Sequence, residues 1–169
     1  VDLDGFAGRP AVVTNGRNSL VNTALSLPGD ATVFVVARPL SWSNRILSST
    51  GNNWLLGWWG GRQDVAHFDG WVGPWNAPPA TANEPIGMMY SAVIDRGVRA
   101  DVFRNGAALL SSTSTTSTPV GLAVGGWAAS EFTAAAIAEV IVYNRALTTD
   151  ERRAVESYLA AKWGLTLAG

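Results

Sequence analysis

Residues 88–104 (MMYSAVIDRGVRADVFR) constrain the fold of this chain more than any other part of the sequence. Two runs of mainly apolar residues, 88–95 and 98–104, flank an Arg-Gly pair that is typical of a hairpin turn. In the second run every second side chain is Val or Ala, which is the period of a strand with one buried face. Asn105-Gly106 follows and predicts a tight turn with positive φ at both positions. The segment therefore indicates antiparallel strands joined by short turns.

Strand-like runs of the same kind recur along the rest of the chain. Residues 32–38 (TVFVVAR) are apolar on both faces, as expected of a central strand that is covered on both sides. Residues 122–127 and 137–144 (IAEVIVYN) continue the series, and turn signals separate the runs at regular spacing. The pattern predicts an all-β chain that folds into a sandwich or a barrel.

One α-helix is predicted near the C-terminus. Thr148 and Glu151 have the spacing of a capping box, in which each side chain accepts a hydrogen bond from a backbone N–H at the helix start. Gly164 is a stop signal, so we expect a helix over about 149–162. Its apolar residues should pack on the sandwich and its polar residues should face water. The apolar residues are Ala154, Val155, Tyr158, Leu159 and Trp163, and the polar ones are Arg152, Arg153 and Glu156.

The composition excludes several classes of function. The formal net charge is −1, whereas a nucleic-acid partner needs clustered basic charge. No apolar run approaches the roughly 18 residues of a membrane span, and the chain has no cysteine for a disulfide or a thiolate metal site. Charged residues make up only 15%, so the chain either exposes much small polar surface or has part of its surface covered by partners. Because the sequence starts at Val1, we expect a processed product or a domain of a longer chain.

Residues 137–165 (IAEVIVYNRALTTDERRAVESYLAAKWGL) resemble the closing segment of LamG-like domains, which belong to the concanavalin A-like lectin/glucanase group. In that family a strand leads through an NRAL-like connection into a capped helix that ends in a KWGL-like tail. The family's early strands resemble TVFVVARP and ILSSTGNNWLLG, and its mid-chain hairpin resembles YSAVIDRGVRADVFRNGA. The resemblance implies a two-sheet antiparallel jelly-roll β-sandwich with one C-terminal α-helix, forming a single domain over residues 1–169. It does not fix the function, because the fold is shared by lectins, glycosidases, adhesion modules and virion parts.

A glycoside hydrolase is not expected. Catalytic members of the superfamily often carry Glu-x-Asp-x-x-Glu or Glu-x-Asp-x-Glu on one strand, because hydrolysis needs two carboxylates across the sugar bond. Neither pattern occurs here. Glu139 lies within a predicted strand, and its alternation places it on one face with Ile137 and Ile141. We expect it to be buried, structural and bonded to an Arg or to backbone N–H groups.

Neither a resident metal nor a cofactor is expected. His67 is the only histidine, so a three-histidine zinc site and a second imidazole base are excluded. Calcium binding through Asp64, Asp69 and nearby carbonyls stays open, because oxygen ligands suffice for that ion. The sequence has no dense Asp/Asn loop, which favours loop capping as the role of these two aspartates.

Residues 54–75 (WLLGWWGGRQDVAHFDGWVGPW) contain five of the eight tryptophans. Trp54 and Trp58 share strand parity with a leucine and are expected in the core, with Trp59 pointing the other way. The glycines at 60–61 and 70 are expected to interrupt regular pairing, so that Trp71 and Trp75 line an exposed rim. The polar side chains beside this rim are Arg62, His67, Asp69 and Asn76.

Two functions fit this rim. In the first, sugar rings stack on the indoles, and the domain is a non-catalytic carbohydrate-binding or adhesion module on a bacterial or virion surface. In the second, the rim binds neighbouring protein chains, because Trp and Arg are enriched at interface hot spots. The domain would then be a structural or decoration module of a larger assembly such as a phage particle. The low charge favours the second function and the clustered tryptophans suit the first.

Overall fold

The computed structural model describes residues 1–41, 44–76 and 87–168. In these residues twelve β-strands precede one α-helix. The strands are β1 (Asp2–Phe6), β2 (Arg9–Asn15), β3 (Leu20–Ser26), β4 (Ala31–Pro39), β5 (Leu47–Ser48), β6 (Trp54–Trp59), β7 (Arg62–Phe68), β8 (Met88–Asp95), β9 (Arg99–Arg104), β10 (Ala107–Ser112), β11 (Val120–Val124) and β12 (Ala134–Tyr143). The helix, α1, spans Thr149–Trp163.

The strands form two antiparallel sheets. The seven-stranded sheet has the order β1-β2-β12-β4-β8-β9-β10, and the five-stranded sheet has the order β3-β11-β5-β6-β7. One apolar core lies between the sheets and a second lies between the seven-stranded sheet and α1. The prediction of an all-β sandwich with one C-terminal helix is confirmed.

Strand β4 shows how the sequence builds both cores. Val33 and Val35 contribute to the core between the sheets, whereas Phe34 and Val36 contribute to the core beneath the helix. Successive side chains point to opposite faces of a strand, so a run that is apolar throughout can serve two cores at once. Burying each of these side chains stabilises the fold by roughly 1.5–3 kcal/mol. This arrangement confirms the prediction of a central strand covered on both sides.

The hairpins of the seven-stranded sheet also follow the sequence. Strands β8 and β9 pair along their lengths, and Ala100 and Val102 are buried. Asn105 and Gly106 have φ values of 47° and 85°, which confirms the tight turn between β9 and β10. Val98 is exposed, contrary to the periodicity, because it lies in the turn before β9 begins.

The expectation that the glycines at 60–61 interrupt pairing was wrong. Gly60 and Gly61 have φ values of 59° and 74° and connect β6 to β7 in a two-residue turn. Adjacent residues with positive φ match the twist of paired strands, so two glycines here close a hairpin. The prediction for the first half of the stretch is confirmed, since Trp54 and Trp58 are fully buried in the core between the sheets.

The capping box of α1 is present as predicted. The Thr148 side chain accepts a hydrogen bond from the Glu151 backbone N–H at 3.3 Å, and Glu151 Oε2 accepts one from the Thr148 backbone N–H at 2.9 Å. The helix ends at Gly164, whose φ of 66° is the left-handed conformation typical of a glycine at this position. Within the described residues, no helix combines the length and apolar character needed to cross a membrane.

The orientation of α1 differs from the predicted one. Leu159 and Trp163 are buried as expected, but Ala154 and Tyr158 are exposed. Instead, Arg152 and Glu156 are buried. The helix is rotated because these two charges pair with each other one turn apart, which allows both to be placed against the sheet.

The contacts of this buried pair explain how the sheet accepts it. Arg152 lies over the ring of Phe103, with its guanidinium carbon 3.6 Å from the ring centroid. Glu156 also accepts a hydrogen bond from the Ser91 hydroxyl. Arg153, in contrast, is exposed as predicted.

Glu139 has the expected structural role but a different environment. A bulge shifts the register of β12 between Ile137 and Glu139, so Ile137 faces the core between the sheets while Glu139 faces the helix. The Glu139 side chain is 21% exposed rather than buried, and Lys162 Nζ lies 2.9 Å from it. Trp163 Nε1 donates to it at 2.7 Å, so the expectation of an Arg or backbone partner was wrong.

Candidate functional site

A cavity of about 230 Å³ opens on the outer face of the five-stranded sheet. Strand β6 builds its floor, because Leu55 and Trp59 point away from the core that contains Trp54 and Trp58. On β7, His67 is the cross-strand partner of Leu55 and lies on the same face. The lining consists of Arg45, Asn53, Leu55, Trp59, His67 and Trp71.

Three aromatic rings form one wall of the cavity. The ring centroids of Trp59 and Trp71 are 5.5 Å apart, with an angle of 56° between the planes. The His67 ring meets Trp71 edge-on at 5.0 Å. Both indoles are half-buried, so part of each apolar surface faces the cavity. Such a wall can bind a ligand that has an apolar face.

The loop after β7 folds back to place Trp71 on this wall. The Phe68 backbone N–H donates to the Gly70 carbonyl at 2.8 Å, and the Val72 N–H donates to the Ala66 carbonyl at 3.0 Å. Asp69 adopts a left-handed φ of 57° at the turn. The glycine at 70 thus belongs to a compact turn that brings Trp71 beside His67.

Asp69 caps a neighbouring loop and does not line the cavity. Its carboxylate accepts hydrogen bonds from the Asn53 backbone N–H at 2.9 Å and from Asn52 Nδ2 at 2.8 Å. Asn53 is fixed further, because its carbonyl is 2.7 Å from His67 Nδ1. These contacts confirm the loop-capping role that the sequence favoured for Asp69.

The loop-capping role expected for Asp64 was wrong, because this residue lies within β7 and serves a separate structural site on the other side of the strand. Its carboxylate accepts a hydrogen bond from the Tyr90 hydroxyl at 2.7 Å and pairs with Arg104 Nη1 at 3.0 Å. Burial, followed by the charge of Asp64, raises the pKa of Tyr90 well above its usual value. Among the described residues, no group of three or more His, Asp or Glu side chains is placed to hold a metal ion.

A charged pair borders the cavity. Arg45 donates through Nε to the Glu131 carboxylate and through Nη1 to Asn53 Oδ1 at 3.0 Å. Its guanidinium carbon lies 4.1 Å from the ring centroid of Trp127. Burial lowers the pKa of Arg45, and the hydrogen bond and charge of Glu131 oppose that shift. Glu131 Oε2 also accepts a hydrogen bond from Trp59 Nε1 at 3.1 Å, so the pair holds one indole of the wall in place.

The structure brings together only part of the predicted set. Trp71 and His67 line the cavity, and Arg62 lies on the same face as Trp59, its cross-strand partner, without lining it. Trp75, which is 63% exposed, and the exposed Asn76 follow in the loop and are likewise outside the lining. Whether these last residues contact a ligand stays a prediction.

Sequence reasoning missed most of the polar groups at the site. Arg45 and Glu131 are 86 positions apart, so no local spacing could have joined them. Asn53 precedes β6 and carries no motif of its own. Trp59 did have a signal, because its parity is opposite to that of Trp54 and Trp58.

Comparison with known proteins shows the fold and leaves the family unassigned. The sequence matches no family model and no curated protein. Among solved structures, the chain is similar to the CBM40 domain of the Ruminococcus gnavus IT-sialidase bound to α2,3-sialyllactose, with a TM-score of 0.62 and 12% identity over 88% of this chain and 97% of that one.

Two further structures have the same fold. Domain 4 of AbnA, a GH43 extracellular arabinanase from Geobacillus stearothermophilus in complex with arabinotriose, matches with a TM-score of 0.59 and 18% identity over 83% of this chain and 73% of that one. The Trypanosoma rangeli sialidase matches with a TM-score of 0.60 and 15% identity, over 94% of this chain but 29% of its own. At these identities the similarity shows a shared β-sandwich.

Proposed function

We propose that the protein is a non-catalytic carbohydrate-binding module whose ligand binds at the cavity on the five-stranded sheet. The observation that carries this proposal is the wall formed by Trp59, Trp71 and His67 on the outer face of the five-stranded sheet. Sugar rings present apolar C–H faces that pack against indoles, while polar groups at the edge of the wall bind the hydroxyls.

Polar groups at the cavity can provide both donors and acceptors. The Nδ1 atom of His67 faces the Asn53 carbonyl, which can only accept, so Nδ1 carries the proton. In the neutral imidazole the other nitrogen, Nε2, is then an acceptor for a sugar hydroxyl. The Asn53 side chain is exposed at the cavity edge and supplies an amide donor.

Similarity in fold to two sugar-bound structures supports this assignment. The Ruminococcus gnavus CBM40 domain and the AbnA domain were solved with sialyllactose and arabinotriose, respectively. We therefore propose a single carbohydrate-binding domain over residues 1–169, which acts outside the cell or on a virion surface.

The site is better suited to binding than to hydrolysis. Glycoside hydrolysis uses two carboxylates on either side of the scissile bond. The six lining residues include no carboxylate. Glu131 borders the cavity but is already bonded to Arg45 and to Trp59.

Substitution of the tryptophans tests the proposal. We expect Trp59→Ala and Trp71→Ala each to weaken binding to a glycan array and in calorimetry by roughly tenfold, since each removes part of the stacking wall. Tyr158→Ala is the matched control, because this aromatic side chain is exposed on α1, which packs on the other sheet. A loss of binding with Trp75→Ala alone would move the site to the loop tip.

One observation favours the alternative, a structural module of a larger assembly such as a phage particle. Strand β3 (LVNTALS) lies at the edge of the five-stranded sheet, where Leu20 and Val21 are exposed and no residue of the strand is charged. Edge strands are usually protected by charge or proline, because they can pair with another chain. Light scattering of the wild type and of Val21→Lys would reveal association through this edge.

A further inference from the structure

We infer that the proposed carbohydrate site selects uncharged sugars over sugars that carry a carboxylate, because Glu131 neutralises Arg45 beside the cavity. The inference rests on the proposed function and specifies its ligand class. It runs against the simplest expectation from the fold, since the similar CBM40 domain was solved with a sialylated ligand. That similarity, at 12% identity, is one of fold, and a shared fold does not determine which ligand a site binds.

Arg45 is the first part of the argument. An arginine that captures a ligand carboxylate presents parallel N–H donors to it. Here Nε is bonded to Glu131 and Nη1 to Asn53, so two of the three guanidinium nitrogens already have acceptors. The guanidinium also lies over Trp127, and only 4% of the side chain is exposed. The Arg45 cation is therefore already bound by groups of the protein itself.

Glu131 is the member of the pair that faces water. Its side chain is 30% exposed, against 4% for Arg45. Its Oε2 also accepts the hydrogen bond from Trp59 Nε1, which places the negative charge at the edge of the stacking wall. A ligand carboxylate that approaches this wall therefore meets a charge of its own sign, whereas a sugar hydroxyl meets a hydrogen-bond acceptor.

The backbone fixes Glu131 in this position. Its φ of 46° is left-handed, as is the φ of 50° at Ala128. Between them, the backbone groups of Trp127 and Ser130 bond to each other at 2.8 and 2.9 Å. The Glu131 carbonyl accepts a hydrogen bond from the Arg45 backbone N–H at 3.3 Å. Non-glycine residues persist in this conformation only where their surroundings hold them there, and such residues cluster at binding sites.

A glycan array of matched pairs tests the inference on the wild-type protein. Each pair presents the same oligosaccharide uncapped and capped with sialic acid. We expect the uncapped members to bind roughly tenfold more tightly, with little dependence on salt. Tighter binding of the capped members, weakened by salt, would overturn the inference and leave the proposed function standing. Absence of binding to both members across the array would remove the proposed function and the inference together.

Glu131→Gln tests the cause. The amide oxygen can still accept from Trp59 Nε1, but the charge of Arg45 is no longer neutralised. We expect the ratio of capped to uncapped binding to rise roughly tenfold and to become salt-dependent. Glu151→Gln is the control, because it removes a glutamate at the start of α1 and should leave the ratio unchanged. An unchanged ratio in a Glu131→Gln protein that still binds uncapped glycans would overturn the inference. If this variant does not fold, the wild-type array decides alone.

Discussion

Among the described residues, each outer face of the sandwich includes an arginine–glutamate pair with a buried arginine, and these two pairs differ in their access to water. In the pair beneath α1, Arg152 and Glu156 have side chains that are 5% and 1% exposed. In the pair beside the cavity, the corresponding values are 4% for Arg45 and 30% for Glu131. In both pairs the arginine is buried, and the difference lies in the glutamate.

The chemical surroundings of the two arginines are otherwise similar. Arg152 lies over Phe103 and Arg45 lies over Trp127, so each cation has an aromatic face and a carboxylate. The helix covers the first pair and nothing in the described residues covers the second to the same degree. One arrangement therefore serves to dock an element of the fold, whereas the other leaves a charged and aromatic surface at the cavity where we propose that the ligand binds.

The largest difference in stability between the two pairs is expected when the glutamate charge is removed. Glu156→Gln leaves the Arg152 charge sealed under the helix, and we expect the free energy of unfolding to fall by about 3–5 kcal/mol. Glu131→Gln should cost clearly less, because water can reach the Arg45 site from the cavity. Urea denaturation of both variants measures the difference. Equal losses would mean that water is excluded from the Arg45 site as fully as from the Arg152 site.

Leu159→Ala tests whether the helix is essential to the covered face. The side chain is fully buried in the core under α1, so we expect a loss of roughly 2–5 kcal/mol. The same helix offers Tyr158→Ala as a control, since an exposed side chain should change stability by less than about 0.5 kcal/mol. A loss below about 1 kcal/mol for Leu159→Ala, measured by denaturation, would show that the helix is peripheral. Glycan binding should be unchanged in both variants.

Tyr90→Phe tests the link between the two sheets beneath the open face. Tyr90 on β8 donates to Asp64 on β7, and its removal should cost about 1–2 kcal/mol at neutral pH. Burial and Asp64 raise the pKa of Tyr90 in the folded state, so its contribution is complete below the unfolded value of about 10. That contribution is lost as the pH rises from there through the folded pKa. Thermal unfolding from pH 8 to 11 should therefore decline less steeply in the variant than in the wild type.

The smallest effect is expected at the start of the helix. The hydrogen bond from Arg145, followed by that from the Thr148 backbone, lowers the pKa of Glu151 to about 2. Its stabilisation is present above the unfolded pKa and is lost as the pH falls through the folded value. Because this carboxylate is exposed, Glu151→Gln should lower the melting temperature only slightly at pH 7 and by less still at pH 2. An equal shift at both pH values would show that the charge is irrelevant to the cap.

The sequence predicted those parts of the fold that depend on neighbouring residues. Asn105-Gly106 specified a turn because both residues tolerate positive φ, and the Thr148–Glu151 box specified a helix start. The bulge in β12 could not be seen, because a single extra residue reverses which side chains share a face. The sequence pattern therefore placed Glu139 on the same face as Ile137, whereas the two side chains lie on opposite faces of β12.

The candidate site was harder to predict than the fold. Trp71 and His67 could be named because they are close in sequence to a tryptophan cluster. The charged pair that borders the cavity consists of Arg45 and Glu131, which come into contact only after the sheet has formed. The face of α1 was misjudged for a related reason, since a charge such as Arg152 is assigned to solvent unless its partner and the ring that it covers are known.

Asn53 connects the groups around the cavity through hydrogen bonds. Its backbone N–H bonds to Asp69, its carbonyl to His67 and its side-chain oxygen to Arg45. The loop that carries Trp71 and the buried guanidinium are thereby joined through one residue. These groups lost their rotational freedom when the protein folded, so ordering them would not reduce the affinity of the proposed ligand. Preorganisation of this kind lets a shallow surface discriminate between ligands that differ in a single group.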